Sequence, residues 1–223
     1  MANLLIPFDT YERNRKISGF LEPGAKVLDV GGGATGIKTF TRASVTTVDL
    51  FEGDIKADAR SLVMPSSSYE TVTCIDVLEH IALTDRKKVI DNLIRIAKDK
   101  IIISAPYGSS EHELAEKALL KDISRKGIDV AFLLEHVQNG LPTPVELLSS
   151  VKHEAKVFYS GDFRISNLLF RLHVYEMKDP VLNRLLYAFK RLLNIFLNTC
   201  LYTFWFSDHA NRFTNRFYVI IEK

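Results

Sequence analysis

The sequence predicts an α/β fold in which a mostly parallel sheet carries helices on both faces. Three observations predict it. Short apolar, β-branched stretches alternate with amphipathic helical stretches at βα spacing through residue 106. One of these stretches, Val27-Leu28-Asp29-Val30, runs directly into a glycine turn, Gly31-Gly32-Gly33-Ala34-Thr35-Gly36. The next, Ser44–Asp49, ends on an acid. Glycine lets the backbone adopt positive φ and come close to a ligand. A helix opening after the turn would add unpaired N–H groups.

Each element has its own signal. Residues 8–21 read as an amphipathic helix with Phe8, Tyr11, Ile17, Phe20 and Leu21 on one side, ended by Pro23-Gly24. Lys26–Val30 and Ser44–Asp49 are the first two strands, Asp54–Ala57 a short third and Tyr69–Asp76 a fourth. A helix over Asp85–Ala97 carries the stripe Val89, Ile90, Leu93, Ile94 and Ala97. Lys100–Ala105 is a fifth strand, stopped by Pro106. Beyond it, Ser109–Arg125 reads as a helix, Phe132–Pro144 as an ordered loop and Thr143–Val151 as a helix entered through Pro144. Lys156–Tyr159 is a strand, residues 163–206 are helical with a break near Asp179-Pro180, and Arg216–Glu222 is the last strand.

Composition narrows the function classes. The 223 residues are 47% hydrophobic and 25% charged, enough for a sizeable core in one domain, 1–223. A net charge of +2 gives no bulk argument for nucleic acid. The C-terminal end is the more basic, with six Lys/Arg against Asp208 and Glu222 over residues 181–223. Cys74 and Cys200 sit in apolar runs without metal-type spacing, so two buried thiols in a reducing compartment are expected. Met1–Pro7 lacks a basic n-region, and no run reaches the ~18 apolar residues of a membrane span, so a cytoplasmic location is expected.

Read literally, Gly31-x-Gly33-x-x-Gly36 followed by Asp49 is a dinucleotide fingerprint. An NAD(P)-dependent oxidoreductase is therefore the competing reading, and a membrane-associated cofactor-binding protein without turnover is the third. Three features favour a different cofactor. Asp29 stands two residues before the first glycine, where its carboxylate could hold an amino group. A further acid follows the third strand in Lys56-Ala57-Asp58-Ala59-Arg60. The fourth strand ends in Asp76-Val77-Leu78-Glu79-His80-Ile81.

At these residues the chain resembles the class I S-adenosylmethionine-dependent methyltransferases. The resemblance covers about residues 8–106 and keeps the motifs in order. It implies S-adenosylmethionine as cofactor, with Asp29, Gly31, Gly33 and Gly36 in the first motif. It further implies Asp49 and Leu50 at the ribose, Asp58 and Ala59 at the adenine, and Asp76 and Val77 beneath the sulfonium. Its fold would be a Rossmann-like three-layer sandwich with strand order 3-2-1-4-5-7-6 and strand 7 antiparallel. Residues 1–106 would then form the cofactor half and 107–223 the acceptor half. The family more often reads Gly-x-Gly-x-Gly, so Gly36 stands one residue late.

The resemblance also sets the chemistry. A sulfonium is already a good leaving group, so catalysis is mainly alignment of nucleophile, methyl carbon and sulfur. A base is needed when the acceptor is a hydroxyl, and His80 is the candidate. Asp76-x-x-Glu79-His80 is similar to the metal-binding Glu-x-x-Glu-His of small-RNA 3′-end methyltransferases, but its first position differs and no further histidine is clearly supplied, so no metal is expected. Tyr107, His112 and His136 are the candidate acceptor contacts, with Glu111, Glu135 and Asn139 nearby. Residues 134–142 resemble a segment of methyltransferases associated with surface-polysaccharide and glycolipid synthesis. That implies a sugar-like or lipid-linked acceptor. The expected reaction is O-methylation of such a small-molecule acceptor, with no nucleic-acid partner.

From Leu182 to Phe206 the chain is strongly apolar at helical spacing, with Arg184, Arg191, Asn194 and Asn198 on a narrower face. The expectation is a helix packed on the sheet or on the twin subunit of a homodimer. The alternative is peripheral membrane contact, with Trp205 and basic residues at the headgroups.

Overall fold

The computed structural model describes residues 2–149, 151–200 and 206–223. Its strands are β1 (Lys26–Val30), β2 (Ser44–Asp49), β3 (Ile55–Lys56), β4 (Tyr69–Ile75), β5 (Ala97–Pro106), β6 (Ala155–Asp162), β7 (Phe206–Ser207) and β8 (Thr214–Glu222). Its α-helices are α1 (Phe8–Ser18), α2 (Leu83–Ile96), α3 (Ser110–Arg125), α4 (Ala131–Asn139), α5 (Pro144–Leu148), α6 (Phe163–Val174) and α7 (Pro180–Cys200). The strands form one sheet in the order β3-β2-β1-β4-β5-β8-β6-β7. This is the expected order, with β8 in the seventh-strand place and the two-residue β7 added at the edge.

β1 through β5 run parallel, and β8 returns antiparallel between β5 and β6, with Ile101 opposite Ile221 and Ala155 opposite Ile221 on its other side. Strands covered on both faces read as continuous apolar runs. Val72, Ile101 and Val219 bury against Val89, Leu93 and Ile96 of α2. Val27, Ile102 and Tyr218 bury on the opposite face with Ile17 of α1 and Ile37. A third cluster, Leu119, Ile123, Val130 and Leu133, joins α3 to α4 away from the sheet.

Four expectations need correction. No α-helix opens after the glycine turn; Gly36–Phe40 is a single 3-10 turn. Residues expected as a loop after Phe132 form α4, because Leu133 and His136, three apart, both face inward. Cys200 is exposed, whereas Cys74 is buried as expected.

The fourth concerns one of the two coverings expected for α7: its apolar side does not cover the sheet. Leu182, Leu185, Phe189, Leu192 and Phe196 are each at least half exposed. Lys190, Leu197 and Asn198 are the buried residues of the helix, and Asn198 donates to the carbonyls of Leu4 and Ile6 while Asn194 donates to that of Leu5. The helix is thus anchored on the N-terminal segment, and the return of β8 does not draw it onto the sheet. The stretch 201–205, including Trp205, lies outside the described residues. No described helix is long and apolar enough to cross a membrane.

Candidate active site

The carboxyl ends of β1, β2 and β4 meet at one edge of the sheet, where ligands bind in open α/β folds. Gly31 leaves β1 at φ +80°, and its N–H donates to the carbonyl of Val48 over 2.7 Å. A Cβ there would run into the side chain of Val77, so glycine lets the β1 and β4 turns touch. At Gly33, φ +56°, a Cβ would meet no atom within 4 Å. Gly33 is therefore the open point of the loop. Its N–H donates to Oδ2 of Asp49 at 3.3 Å, and Asp49 Oδ1 accepts from Phe51 and Glu52. Leu50 and Phe51 stand exposed beside it.

Asp29 takes a different place from the one expected. It is fully buried beneath the loop, with Oδ1 accepting from the Thr73 hydroxyl at 2.6 Å and Oδ2 from the Ile37 N–H at 3.0 Å. A Cβ at Gly32 or Gly36 would collide with its carboxylate. Gly36 thus serves close packing over Asp29, and Asp29 serves the shape of the loop. Burial pushes its pKa up against those two bonds. Asp58 accepts from the N–H, Nε and Nη2 of Arg60, so both its oxygens face a guanidinium, which holds its pKa down. Ala59 packs against the main core, and its carbonyl accepts from Asn92.

Beside this edge lies a cavity of about 430 Å³, the size of a small-molecule site. Its polar end holds Asp76, Glu79, His80 and His136, with Arg13 and Arg216. Asp76 sits at φ 53°, a left-handed conformation that a non-glycine residue keeps only when its surroundings hold it. Arg13 Nη1 lies 2.5 Å from its Oδ2, Arg216 grips Oδ1, and its own N–H donates to the Ser104 carbonyl. Burial raises the Asp76 pKa, but the two guanidinium groups outweigh it and hold the carboxyl at about 2. Glu79 has no such cation against it. Burial, helped by the Asp76 charge, lifts its pKa to about 8.

The histidines are oriented by carboxylates. His80 Nδ1 lies 2.6 Å from Glu135, and His136 Nδ1 lies 3.1 Å from Glu116. The two rings meet edge to face with centroids 4.8 Å apart. Glu116 raises the His136 pKa against the pull of burial. His112 also lines the cavity, stacked on Phe163, with Nδ1 at the Tyr107 carbonyl. Tyr107 itself does not line the cavity; its ring packs edge-on against Tyr159. Glu111 is exposed, bonded to Ser110.

One residue that sequence reasoning missed knits this end together. Arg86 of α2 is buried and donates from Nε to the carbonyls of Leu78 and Ile81, from Nη1 to Glu146, and from Nη2 to the carbonyls of Asn139 and Gly140. It ties the turn carrying Glu79 and His80 to the end of the helix carrying His136. The segment 134–142 therefore matters as the place where α4 is fastened. Arg13, Arg216 and Glu116 were also missed. A charged residue inside the apolar strand Arg216–Glu222 was the available signal, because such a charge needs a partner.

Comparison with solved structures fits this architecture. The chain is similar to a SAM-dependent methyltransferase from Archaeoglobus fulgidus, with a TM-score of 0.59 at 15% identity, covering 96% of this chain and 92% of the other. A SAM-dependent methyltransferase from Thermotoga maritima gives 0.55 at 12% identity, over 100% and 92% of the two chains. The YcgJ protein of Bacillus subtilis gives 0.55 at 13%, over 96% and 98%. The fold is that of the class I methyltransferases. No protein-family model matches the sequence, and no curated protein matches it. At these identities the likeness carries the fold and no more.

Proposed function

We propose that the chain is a methyltransferase that uses S-adenosylmethionine and methylates an oxygen of an amphipathic, lipid-linked acceptor. The observation that carries this reading is the cavity at the carboxyl end of β4, whose lining mixes both kinds of surface. Asp76, Glu79, His80 and His136 share it with apolar Phe8, Leu119, Phe132, Phe170, Leu172 and Leu193, and the Phe132 and His136 rings meet edge to face. A polar head would seat against the first set and a hydrocarbon segment against the second.

In the reaction, an acceptor oxygen forms a bond to the methyl carbon as the carbon–sulfur bond breaks. The electron pair goes to sulfur, leaving neutral S-adenosylhomocysteine. The hydroxyl proton is taken up within the Glu79–His80–His136 cluster, where His80 is the more exposed ring. On the cofactor side, Gly33 and Asp49 form the open part of the cradle, and the exposed side chains of Leu50 and Phe51 offer apolar surface beside it.

The exposed face of α7 supports a lipid surface as the place of work. Leu182, Leu185, Phe189, Leu192 and Phe196 form one apolar stripe, and Arg184 and Arg191 stand exposed on the polar side. That is the pattern of an interfacial helix. Leu193 and Lys190 of the same helix line the cavity, so one helix borders both the cavity and this surface. The test uses methyl-labelled S-adenosylmethionine with saccharide presented either free in water or linked to lipid in vesicles. The expected outcome is label in the lipid-linked fraction. Label in neither fraction, or in free saccharide alone, contradicts the reading.

A further inference from the structure

Five buried polar atoms around the polar end of the cavity have no hydrogen-bond partner among the described residues: Glu79 Oε2, His136 Nε2, Glu116 Oε2 and the Nε atoms of Arg13 and Arg216; the first three can offer a lone pair. Buried polar atoms are satisfied in the great majority of cases, so a cluster of exceptions needs a cause. Glu79 is 1% exposed and His136 is 7% exposed, and both line the cavity.

The rings add a second observation. His80 and His136 each commit Nδ1 to a carboxylate, Glu135 in one case and Glu116 in the other. That fixes which nitrogen is left. In the neutral ring, with Nδ1 donating to its carboxylate, Nε2 carries the lone pair and can donate it to an ion. A carboxylate behind each metal-ligating imidazole is how such ligands are oriented and made more basic. One donor atom from each of Glu79, His80 and His136 lies within 4.8 Å of the others.

We propose that Glu79, His80 and His136 bind one divalent first-row transition ion of the zinc or cobalt type, with Glu116 and Glu135 orienting the two rings. Two imidazoles and one carboxylate leave at least one coordination position for solvent or an acceptor oxygen. Ligands on a tetrahedral ion with bonds of ~2.1 Å stand roughly 3.4 Å apart. The observed spread of 4.8 Å must therefore contract by about 1.4 Å on binding. His80, whose side chain is 29% exposed, is the member with room to swing. Arg86 holds the turn and α4 at this separation. Binding of the ion does not depend on the methyl-transfer reading. If that reading holds, the ion would stand at the acceptor oxygen and lower the pKa of its proton, taking over that part of the work from the histidines.

The test is made on full-length protein stripped with a chelator and then titrated with cobalt(II) alone, followed by its visible absorption, with zinc(II) as competitor. One equivalent of cobalt is expected, displaced by zinc, with absorption of an imidazole-ligated ion. Glu79→Gln and His80→Gln should each weaken binding by tenfold or more, and Glu116→Gln should weaken it 10–100-fold as an orienting partner. Melting curves identify a variant that fails to fold; His80, whose side chain is 29% exposed, is the safeguard. No saturable cobalt or zinc binding by the wild-type chain overturns the proposal. So does wild-type affinity in folded His80→Gln and Glu79→Gln. S-adenosylhomocysteine binding by the stripped protein is measured alongside, and its loss would count against the methyltransferase reading while leaving the ion site standing.

Discussion

The two halves of the cleft are built in different ways. The glycine-loop side is made from consecutive residues: a strand, a glycine turn and one buried carboxylate, with Asp49 reaching across from the next strand. The charged end of the cavity is made from side chains on six separate stretches: Arg13 on α1, Asp76 to His80 after β4, Arg86 on α2, Glu116 on α3, His136 on α4, and Arg216 on β8. Backbone shape holds the first, and ion pairs and hydrogen bonds hold the second. The two halves should therefore fail differently when perturbed.

The sharpest contrast is at Arg86. Arg86→Met keeps much of the side-chain volume but strips donors from five carbonyl and carboxylate partners. Breaking a buried charged network by removing one partner costs about 3–5 kcal/mol. Urea unfolding should show a loss of that order. A change near zero would mean that the charged end of the cavity is not held by Arg86.

Acid should act on the charged end of the cavity next. Asp76 has a folded pKa near 2, below its ordinary 3.8. Its contribution is fully present above pH ~4 and is lost as pH falls from ~4 to ~2, amounting to roughly 2 kcal/mol. Asp76→Asn should flatten that part of the stability profile. An unchanged acid limb in the variant would show that Arg13 and Arg216 do not hold Asp76 as described.

How much of this was legible in the sequence follows the same division. The strand order and the positions of Gly31, Gly33 and Asp49 were readable because they depend on contiguous patterns. Asp29 and Asp58 were placed on the right segments, yet their carboxylates turned to Thr73 and Ile37, and to Arg60. Spacing locates a residue but does not reveal which neighbouring donor will claim it. His136 stood 56 residues from His80 in sequence, and no periodicity joins them. They meet because α4 forms where a loop was expected and Arg86 fastens its end. The exposed stripe of α7 was readable as amphipathic, but not which side would be covered, since Asn194 and Asn198 choose the N-terminal segment.

The smallest stability effect separates the two faces of α7. Leu192→Asp with Phe196→Asp changes exposed residues only and should leave thermal stability within about 0.5 kcal/mol while reducing binding to anionic vesicles. Leu197→Asp, at a buried position, should destabilise the fold. If the exposed pair melts early and sediments differently, the stripe is covered by another copy of the chain and the lipid-surface reading gives way.

The most direct test of the account is calorimetric titration with S-adenosylhomocysteine and with NAD, on wild-type protein and on Asp49→Ala. The account predicts saturable binding of S-adenosylhomocysteine at one per chain and no response to NAD. It also predicts a loss of tenfold or more in Asp49→Ala, since a charge-assisted bond to a ribose hydroxyl is worth ~1.5–3 kcal/mol. Binding of NAD with no response to S-adenosylhomocysteine would contradict it.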